Sequence, residues 1–295
     1  MNVQKIFESD SIANYTPVGV IDGRLIVSGL VKKGTRTLPV PGYIEDGKFV
    51  EVKHSVSGTV TAVGVCGDKI ICSVVAPRKP QGGVLLTLGG LSTPFVFPQG
   101  KGVNIFPAWS NGSDILGLVM GPDQVAKTGV WDASGKLVDV EEGKFIGKIG
   151  DDLIPFEYPV ASLPEGYSLP NARVVSGDAI GGAAYLNDKR TGANTNSWVQ
   201  VPSTGKFAFL VPPTQPDARF GVQRVTADGV FAFGLWYTVN GAEQAGMACN
   251  TDNLQWSNVS DLLGVGLDTG SLVIDGDVIY GRASDGLYKV EAWRS

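Results

Sequence analysis

The chain has 295 residues, and its 40 glycines and 17 prolines are spread among short apolar runs, which excludes a collagen-like repeat or a long linker. A formal net charge of −5 at pH 7 argues against a nucleic-acid-binding domain, because such domains are usually basic. No apolar stretch is long enough to span a bilayer, and residues 1–15 lack the basic start and apolar core of a secretory signal.

One short pattern returns along the whole chain: an apolar run, a tight turn that contains glycine, and a second apolar run. The turns hold Asp-Gly, Asn-Gly or Gly-Asp pairs, which favour the positive φ angles of a two-residue hairpin turn. Each copy is therefore predicted to form an antiparallel β-hairpin. In chain order the copies occupy residues 18–29, 62–73, 107–118, 145–156, 172–183, 223–234 and 271–281.

The spacing of these turns predicts the fold. The turns recur at intervals of roughly forty residues, and several strands per repeat of that length are typical of a β-propeller. We therefore predict an all-β propeller that forms a single domain over residues 1–295. Between Gly150 and Gly229 the chain holds about seven strand-like runs, whereas two four-stranded blades need eight. Seven blades are the first choice, and six blades with a proline-rich insertion around residues 155–171 are the alternative.

The two ends of the chain are predicted to share one blade. The run at 3–9 alternates in polarity and has no inner partner before it, and the run at 286–293 looks like a third strand with no fourth strand after it. Pairing these runs would complete the last blade, remove an exposed sheet edge and close the ring.

No catalytic or metal-binding motif is recognisable. Cys66, Cys72, Cys249 and the single His54 have no metal-ligand spacing, and no glycine-rich loop ends in the Lys-Ser or Lys-Thr that phosphate binding uses. Neither a metal nor another cofactor is predicted. A Ser/His or Cys/His arrangement would have to use His54, so we assign no catalytic residue. The sequence leaves open whether the chain is an enzyme and favours a protein that is not one.

Two groups of side chains are candidates for binding. Trp236 and Tyr237 are adjacent aromatics near a predicted strand end, where they are able to stack on a sugar ring. The second group is basic and lies in the connections between second and third strands, opposite the aspartate-rich hairpin turns, so it is predicted to form a rim that attracts an anionic partner. The competing interpretation is that turn chemistry alone places these charges. The basic residues are Lys32, Lys33, Arg36, Arg78, Lys79, Lys189 and Arg190.

One turn resembles a known propeller element. The segment NTDNLQW at 250–256 resembles the Asp box of sialidase-type propellers, with Asn250 in the Ser position, Asn253 in a Gly position and Trp256 in the Trp position. The resemblance implies the fold but not the activity, because in that family the box is a structural turn remote from the active site. It also implies three substrate-binding arginines and a Tyr/Glu pair, which no local motif marks here. The arginines available are Arg173, Arg219, Arg224 and Arg282.

The chain is also similar to virion-associated propellers of bacteriophage tails in its size, its Gly- and Trp-rich repeats and its lack of a secretory signal. This resemblance implies a non-catalytic binding or assembly component of the tail or tail fibre, located in the virion, or in the cytoplasm before assembly. Its partners would be other protein subunits or a surface polysaccharide, without nucleic acid or membrane insertion. The alternative is a glycan-active, sialidase-like hydrolase or lyase that uses the central funnel.

Overall fold

The computed structural model of the protein describes residues 1–98, 102–160, 162–187, 195–212, 218–238 and 244–294. It is an all-β propeller with six blades. The chain divides into two compact units. The N-terminal unit comprises Gln4–Phe145 and Ser284–Lys289, and the C-terminal unit comprises Met1–Val3, Ile146–Ala283 and Val290–Ser295. That residues 1–295 form a single domain stays a prediction.

The N-terminal unit holds three antiparallel sheets of four strands, in which each strand pairs with the next one along the chain. The first strand of the chain, β1 (Asn2–Phe7), belongs to another sheet, described below. The three sheets are β2 (Tyr15–Ile21), β3 (Arg24–Lys33), β4 (Arg36–Glu45) and β5 (Lys48–Glu51); β6 (Thr59–Cys66), β7 (Lys69–Val75), β8 (Gly82–Thr87) and β9 (Ser92–Pro94); and β10 (Asn104–Ser110), β11 (Asp114–Met120), β12 (Ala126–Asp132) and β13 (Leu137–Glu142).

The C-terminal unit holds a two-stranded sheet, two sheets of four strands in the same sequential order, and a short helix, α1 (Val259–Leu263). Among the described residues no helix has the length and apolarity needed to cross a membrane. The three sheets are β14 (Phe145–Ile149) and β15 (Asp152–Pro155); β16 (Tyr167–Ser176), β17 (Ala179–Leu186), β18 (Thr195–Val201) and β19 (Lys206–Leu210); and β20 (Ala218–Val225), β21 (Phe231–Thr238), β22 (Gln244–Asn250) and β23 (Gln255–Asn258).

The last four-stranded sheet confirms that strands from both ends of the chain share one blade. Its strands are β24 (Val273–Asp275), β25 (Val278–Ala283) and β26 (Gly286–Glu291), and β1 pairs with β26 to give the order β1-β26-β25-β24. Side chains add to this pairing, since Asn2 Nδ2 donates to Glu291 Oε2 at 3.1 Å. The edge that β26 would otherwise expose is covered by β1.

All seven predicted hairpins form, but seven blades is wrong. The seven turn glycines have positive φ angles, as the turn chemistry requires: Gly23, Gly67, Gly112, Gly150, Gly177, Gly229 and Gly276. Six of these hairpins are extended to four strands, whereas β14–β15 remains a pair. The runs at 166–169 and 172–175, which the sequence suggests as two strands, are one continuous strand, β16, so no outer strands are left for that hairpin.

A β-bulge interrupts the first strand of five four-stranded sheets. In each of them one residue of the first strand has no partner on the second strand, so the ladder shifts by one position at that point. Bulges of this kind re-aim a side chain without ending the strand. The bulged residues are Val18, Val63 and Ala108 in the N-terminal unit, and Arg173 and Gln223 in the C-terminal unit.

Each unit packs one tryptophan of a third strand completely out of solvent. Trp131 on β12 stacks on Phe95, and Trp198 on β18 stacks on Tyr158. Both indoles fit because a glycine lies beneath them: a Cβ on Gly129 would lie 2.2 Å from Trp131, and a Cβ on Gly182 would lie 2.1 Å from Trp198. The sheet cores around them consist mainly of Val, Ile and Leu.

Candidate functional site

The polar side chains of interest lie at one end of the two four-stranded sheets of the C-terminal unit. Arg219 near the start of β20 lies opposite Tyr237 near the end of β21. On the neighbouring sheet, Tyr185 near the end of β17 lies opposite Thr195 at the start of β18. The beginning of a first strand and the end of a second strand always meet at the same end of an antiparallel sheet, so the ladder itself gathers these residues.

Two side chains of β16 converge on the hydroxyl of Tyr185. Asn171 Nδ2 donates to Tyr185 Oη at 3.0 Å, and Arg173 Nη2 donates to the same oxygen at 3.2 Å. Asn171 and Tyr185 are buried, whereas Arg173, the bulged residue of its strand, is exposed. At the bulge, the exposed guanidinium group of Arg173 therefore reaches the Tyr185 hydroxyl, which the buried amide of Asn171 also holds.

Side chains of the neighbouring sheet influence the ionisation of the Tyr237 hydroxyl. Burial raises the pKa of Tyr237, whereas the guanidinium groups of Arg173 and Arg219 lower it, as does a hydrogen bond with the Thr195 hydroxyl. The neighbouring phenol of Tyr185 acts in the opposite direction, since it raises that pKa. Two cations and two phenols thus lie within electrostatic reach of one another. We name Asn171, Arg173, Tyr185, Arg219 and Tyr237 the Arg–Tyr cluster.

The composition of the Arg–Tyr cluster favours an anionic ligand with hydroxyl groups. Among the described residues no carboxylate forms an ion pair with Arg173, whose guanidinium group bonds to a neutral phenol instead. A planar guanidinium group matches the two oxygens of a carboxylate, and phenols both donate and accept hydrogen bonds. The buried Oδ1 of Asn171 has no hydrogen-bond partner in the described part of the chain, so this site also has an acceptor to satisfy.

The two adjacent aromatics predicted as a sugar platform do not share a surface. Successive residues of a strand point to opposite faces of the sheet. Tyr237 therefore joins the Arg–Tyr cluster, whereas Trp236 lines a groove on the other face of β21. Both aromatics remain candidates for ligand binding, but for two different sites.

The predicted basic residues occupy the connections that the sequence suggested. Lys32 and Lys33 end β3, Arg36 begins β4, and Arg78 and Lys79 lie between β7 and β8; all five are exposed. The charge of Lys33 is matched locally, because its Nζ lies 2.6 Å from Glu51 Oε1. Lys189 and Arg190 lie outside the described residues, and a binding role for this group stays a prediction.

The cysteines and the histidine do not form a chemical site. Cys66, Cys72 and Cys249 are free and buried, and burial raises the pKa of Cys249 to about 12. Burial and the Lys33 ammonium lower the pKa of His54, which lies between β5 and β6. No group of three His, Cys, Asp or Glu side chains within the described ranges is arranged to hold a metal ion.

Sequence reasoning missed most of the Arg–Tyr cluster. Counting outward from the turn at Gly229 places Arg219 opposite Thr238, and the bulge at Gln223 shifts its partner to Tyr237, so the hairpin register gave that pair only an approximate signal. Asn171, Arg173 and Tyr185 had none, because their meeting depends on the bulge at 173 and on the approach of a second sheet. Neither feature leaves a pattern in the one-dimensional sequence.

No protein-family model matches the chain, and no curated protein sequence is similar to it.

Solved structures are similar at the level of the fold. An oligogalacturonate lyase in complex with manganese has a TM-score of 0.61 at 10% identity, covering 98% of this chain and 96% of that one. The β-propeller domain of the trilobed protease from Pyrococcus furiosus, described as having an open velcro topology, has a TM-score of 0.60 at 10% identity, covering 98% and 94%. An oligogalacturonate lyase from Vibrio parahaemolyticus has a TM-score of 0.54 at 12% identity, covering 98% and 96%.

These similarities correct one functional prediction. A non-catalytic assembly component of a phage tail is contradicted, because the similar propellers are lyase and protease propellers and give no support to a phage or assembly role. The resemblance to the Asp box gains no support from them either. The physical reason is that glycine-turn hairpins encode the blade, and the same blade carries unrelated functions. At such low identity the similarity establishes the propeller fold alone.

Proposed function

We propose that this chain binds a saccharide that carries a carboxylate group, and that the Arg–Tyr cluster is the binding site. The observation that carries the proposal is the exposed guanidinium group of Arg173, whose Nη2 bonds to the neutral hydroxyl of Tyr185 at 3.2 Å. A planar guanidinium group that is held by a neutral phenol is able to pair with the carboxylate of a ligand.

Each side chain of the cluster has a definite part in this proposal. Arg173 is exposed and Arg219 is half-buried, so both guanidinium groups are able to meet the carboxylate of a ligand from solvent. The half-buried hydroxyl of Tyr237 is positioned to bond a sugar hydroxyl. Asn171 and Tyr185 lie beneath them and hold Arg173 in place through the 3.2 Å bond to the phenol oxygen.

The names of two similar propellers support the ligand class. Both are oligogalacturonate lyases, named for an oligomer of galacturonate, which is a sugar acid. The support concerns the class of ligand only, since the identity of 10% to 12% carries no residue of those proteins over to this chain.

Isothermal titration calorimetry with trigalacturonate and with neutral galactotriose tests the proposal. We expect saturable binding of the acid and none of the neutral sugar. Arg173→Val installs the residue found at the bulge of β6, and should weaken trigalacturonate binding roughly tenfold to a hundredfold, because a bond to a charged group is lost. Stability should change by less than about 0.5 kcal/mol, since Arg173 is exposed.

The matched control is Ala108→Arg, which places the same cation at the exposed bulge residue of β10 in the N-terminal unit. It should leave binding of trigalacturonate unchanged. Equal binding of the acidic and the neutral sugar would contradict the proposal. So would an equal loss of binding in the two variants, because the effect would then not depend on the Arg–Tyr cluster.

A further inference from the structure

A groove of about 490 Å³ lies on the face of β21 opposite to the Arg–Tyr cluster. Its apolar lining includes Trp236 on β21, Met247 on β22 and Trp256 on β23, all half-buried, together with Pro212 and Ala245. Its volume lies within the range of about 300–1,000 Å³ that small-molecule sites have. We name it the Trp groove, and define it by Trp236, Met247, Trp256, Ser257, Asn258 and Asp261.

The aromatic floor of the Trp groove is fixed by the core beneath it. The ring of Trp256 packs edge to face against Phe220, with centroids 4.9 Å apart and an interplanar angle of 84°. Phe220 is fully buried, and its partner on the neighbouring strand is Trp236. One buried ring therefore contacts the indole of Trp256 and lies opposite Trp236 on the neighbouring strand, and both indoles remain partly open to solvent.

The wall of the Trp groove is polar and carries a negative charge. It comes from the end of β23 and from the helix α1 that follows at once, where Asn258 Nδ2 donates to Asp261 Oδ2 at 3.3 Å. Asn258 occupies the N-cap position of this helix, but its side chain does not cap it. The amide is turned to the carboxylate of Asp261 instead, beside the groove.

We propose that the Trp groove binds a neutral saccharide of a few pyranose rings. A pyranose ring has an apolar face of C–H groups, which suits an indole, and a rim of hydroxyls, which suits Ser257, Asn258 and Asp261. The carboxylate of Asp261 accepts hydrogen bonds from sugar hydroxyls and repels the carboxylate of an acidic sugar. The Trp groove therefore selects against the ligand class of the Arg–Tyr cluster. The two sites lie on opposite faces of β21, and neither proposal depends on the other.

Intrinsic tryptophan fluorescence and saturation-transfer NMR with cellotetraose and maltotetraose test this proposal on the full chain. We expect at least one of the two neutral sugars to change the fluorescence and to receive saturation at its ring protons. Trp236→Ala should lower the affinity for the sugar that binds roughly tenfold, because an aromatic stacking face is lost. Trp109→Ala, a half-buried tryptophan on β10 outside the Trp groove, should leave the affinity unchanged.

A second variant protects the test against misfolding. Asp261 is exposed, so Asp261→Asn is expected to leave the fold intact and to lower the affinity for the neutral sugar about threefold to tenfold, since a charged acceptor is replaced. Arg173→Val should not change neutral-sugar binding, and Trp236→Ala should not change trigalacturonate binding. Failure of one site is thereby distinguished from failure of the other.

Two results would overturn the inference. In the first, neither neutral sugar binds in either measurement. In the second, choline binds and competes at the same indoles while the sugars do not, because two tryptophans beside a carboxylate also suit a quaternary ammonium group. The Trp groove would then be a cation site.

Discussion

The two compact units build the same four-stranded sheet, yet they place different chemistry at equivalent positions. At the open end of the first hairpin, the N-terminal unit pairs small, neutral or apolar residues: Tyr15 with Gly29, Thr59 with Val75, and Asn104 with Met120. The C-terminal unit pairs Ser168 with Tyr185 and Arg219 with Tyr237. The blade is a repeated scaffold, and a few substitutions at one end of it create a polar site.

The bulges show the same division. In the N-terminal unit, the bulged residues Val18 and Val63 pack against the apolar cores of their sheets. In the C-terminal unit, the corresponding Arg173 is exposed and bonds to Tyr185. The same backbone irregularity therefore serves packing at Val18 and Val63 and presents a cation to solvent at Arg173.

Removal of residues 1–10 tests the sheet that holds strands from both ends of the chain. Loss of β1 leaves the edge of β26 exposed and removes the burial of a whole strand, so the free energy of unfolding should fall by several kcal/mol. Urea denaturation of the full and truncated chains measures the difference. Lys5→Ala, which removes the exposed ion pairs to Asp285 and Glu8 and the contact with the Tyr288 ring, should leave the midpoint almost unchanged. An unchanged midpoint in the truncated chain would show that β1 contributes nothing to the blade.

The two buried tryptophans form a matched pair. Trp131 Nε1 donates to the carbonyl of Val96 at 2.8 Å, whereas Trp198 Nε1 has no partner among the described residues. Replacement of Trp131 by Phe loses a hydrogen bond, and replacement of Trp198 by Phe removes a donor that was already unsatisfied. Trp131→Phe should therefore be the more destabilising by about 1–2 kcal/mol in urea denaturation. Equal effects would mean that the two indoles have equivalent surroundings.

A turn of the C-terminal unit should make stability depend on pH. Partial burial tends to raise the pKa of Asp228, but hydrogen bonds from Thr226 and Arg294 bring it to about 2. A lowered pKa contributes stability above the unfolded value of about 3.9, and this contribution is lost as the pH falls through about 2. Asp228→Asn should therefore cost about 1 kcal/mol at pH 7, since the group is largely exposed to solvent screening, and much less near pH 2, where the carboxyl is about half protonated.

The control for this pH effect lies in a turn of the N-terminal unit. Hydrogen bonds from the Ser134 hydroxyl and from the backbone N–H groups of Ser134 and Lys136 lower the pKa of Asp132, and the charge of Lys136 adds a smaller contribution. Asp132→Asn should have a smaller effect at pH 7. Thermal unfolding between pH 2 and pH 7 compares the two variants, and identical profiles would refute the role of Arg294.

The smallest expected effect is spectroscopic. Because the cations of Arg173 and Arg219 stabilise the ionised phenol, Arg219→Ala or Arg173→Val should raise the pKa of Tyr237. Ultraviolet absorption at alkaline pH, taken as the difference from the same variant with Tyr237→Phe, isolates this residue from the other tyrosines. Ala108→Arg should leave the titration of Tyr237 where it is. A pKa that does not move would place the two guanidinium groups too far from Tyr237 to form a common site.

Local signals in the sequence predicted the fold with one error. Each glycine turn imposes a positive φ that few other residues adopt, so the seven hairpins were readable from dipeptides alone. The number of blades was not, because the same apolar runs are compatible with two short strands or with the single long strand Tyr167–Ser176. Pro170 removes one backbone donor from that strand, and the ladder to β17 shifts between Ser168 and Asn171.

By itself, the sequence determined the all-β class, the positions of the hairpin turns and the sharing of one sheet by the two ends of the chain. These features depend on backbone conformation and on the alternation of side chains, both of which act between near neighbours. Only the tertiary structure decided which polar side chains meet. Asn171, Arg173 and Tyr185 come together across β16 and β17, and Trp236 is separated from Tyr237 by the sheet itself. Contacts of that kind depend on strand register, on a one-residue bulge and on the approach of a second sheet, since a shift of a single residue turns every side chain of a strand to the other face.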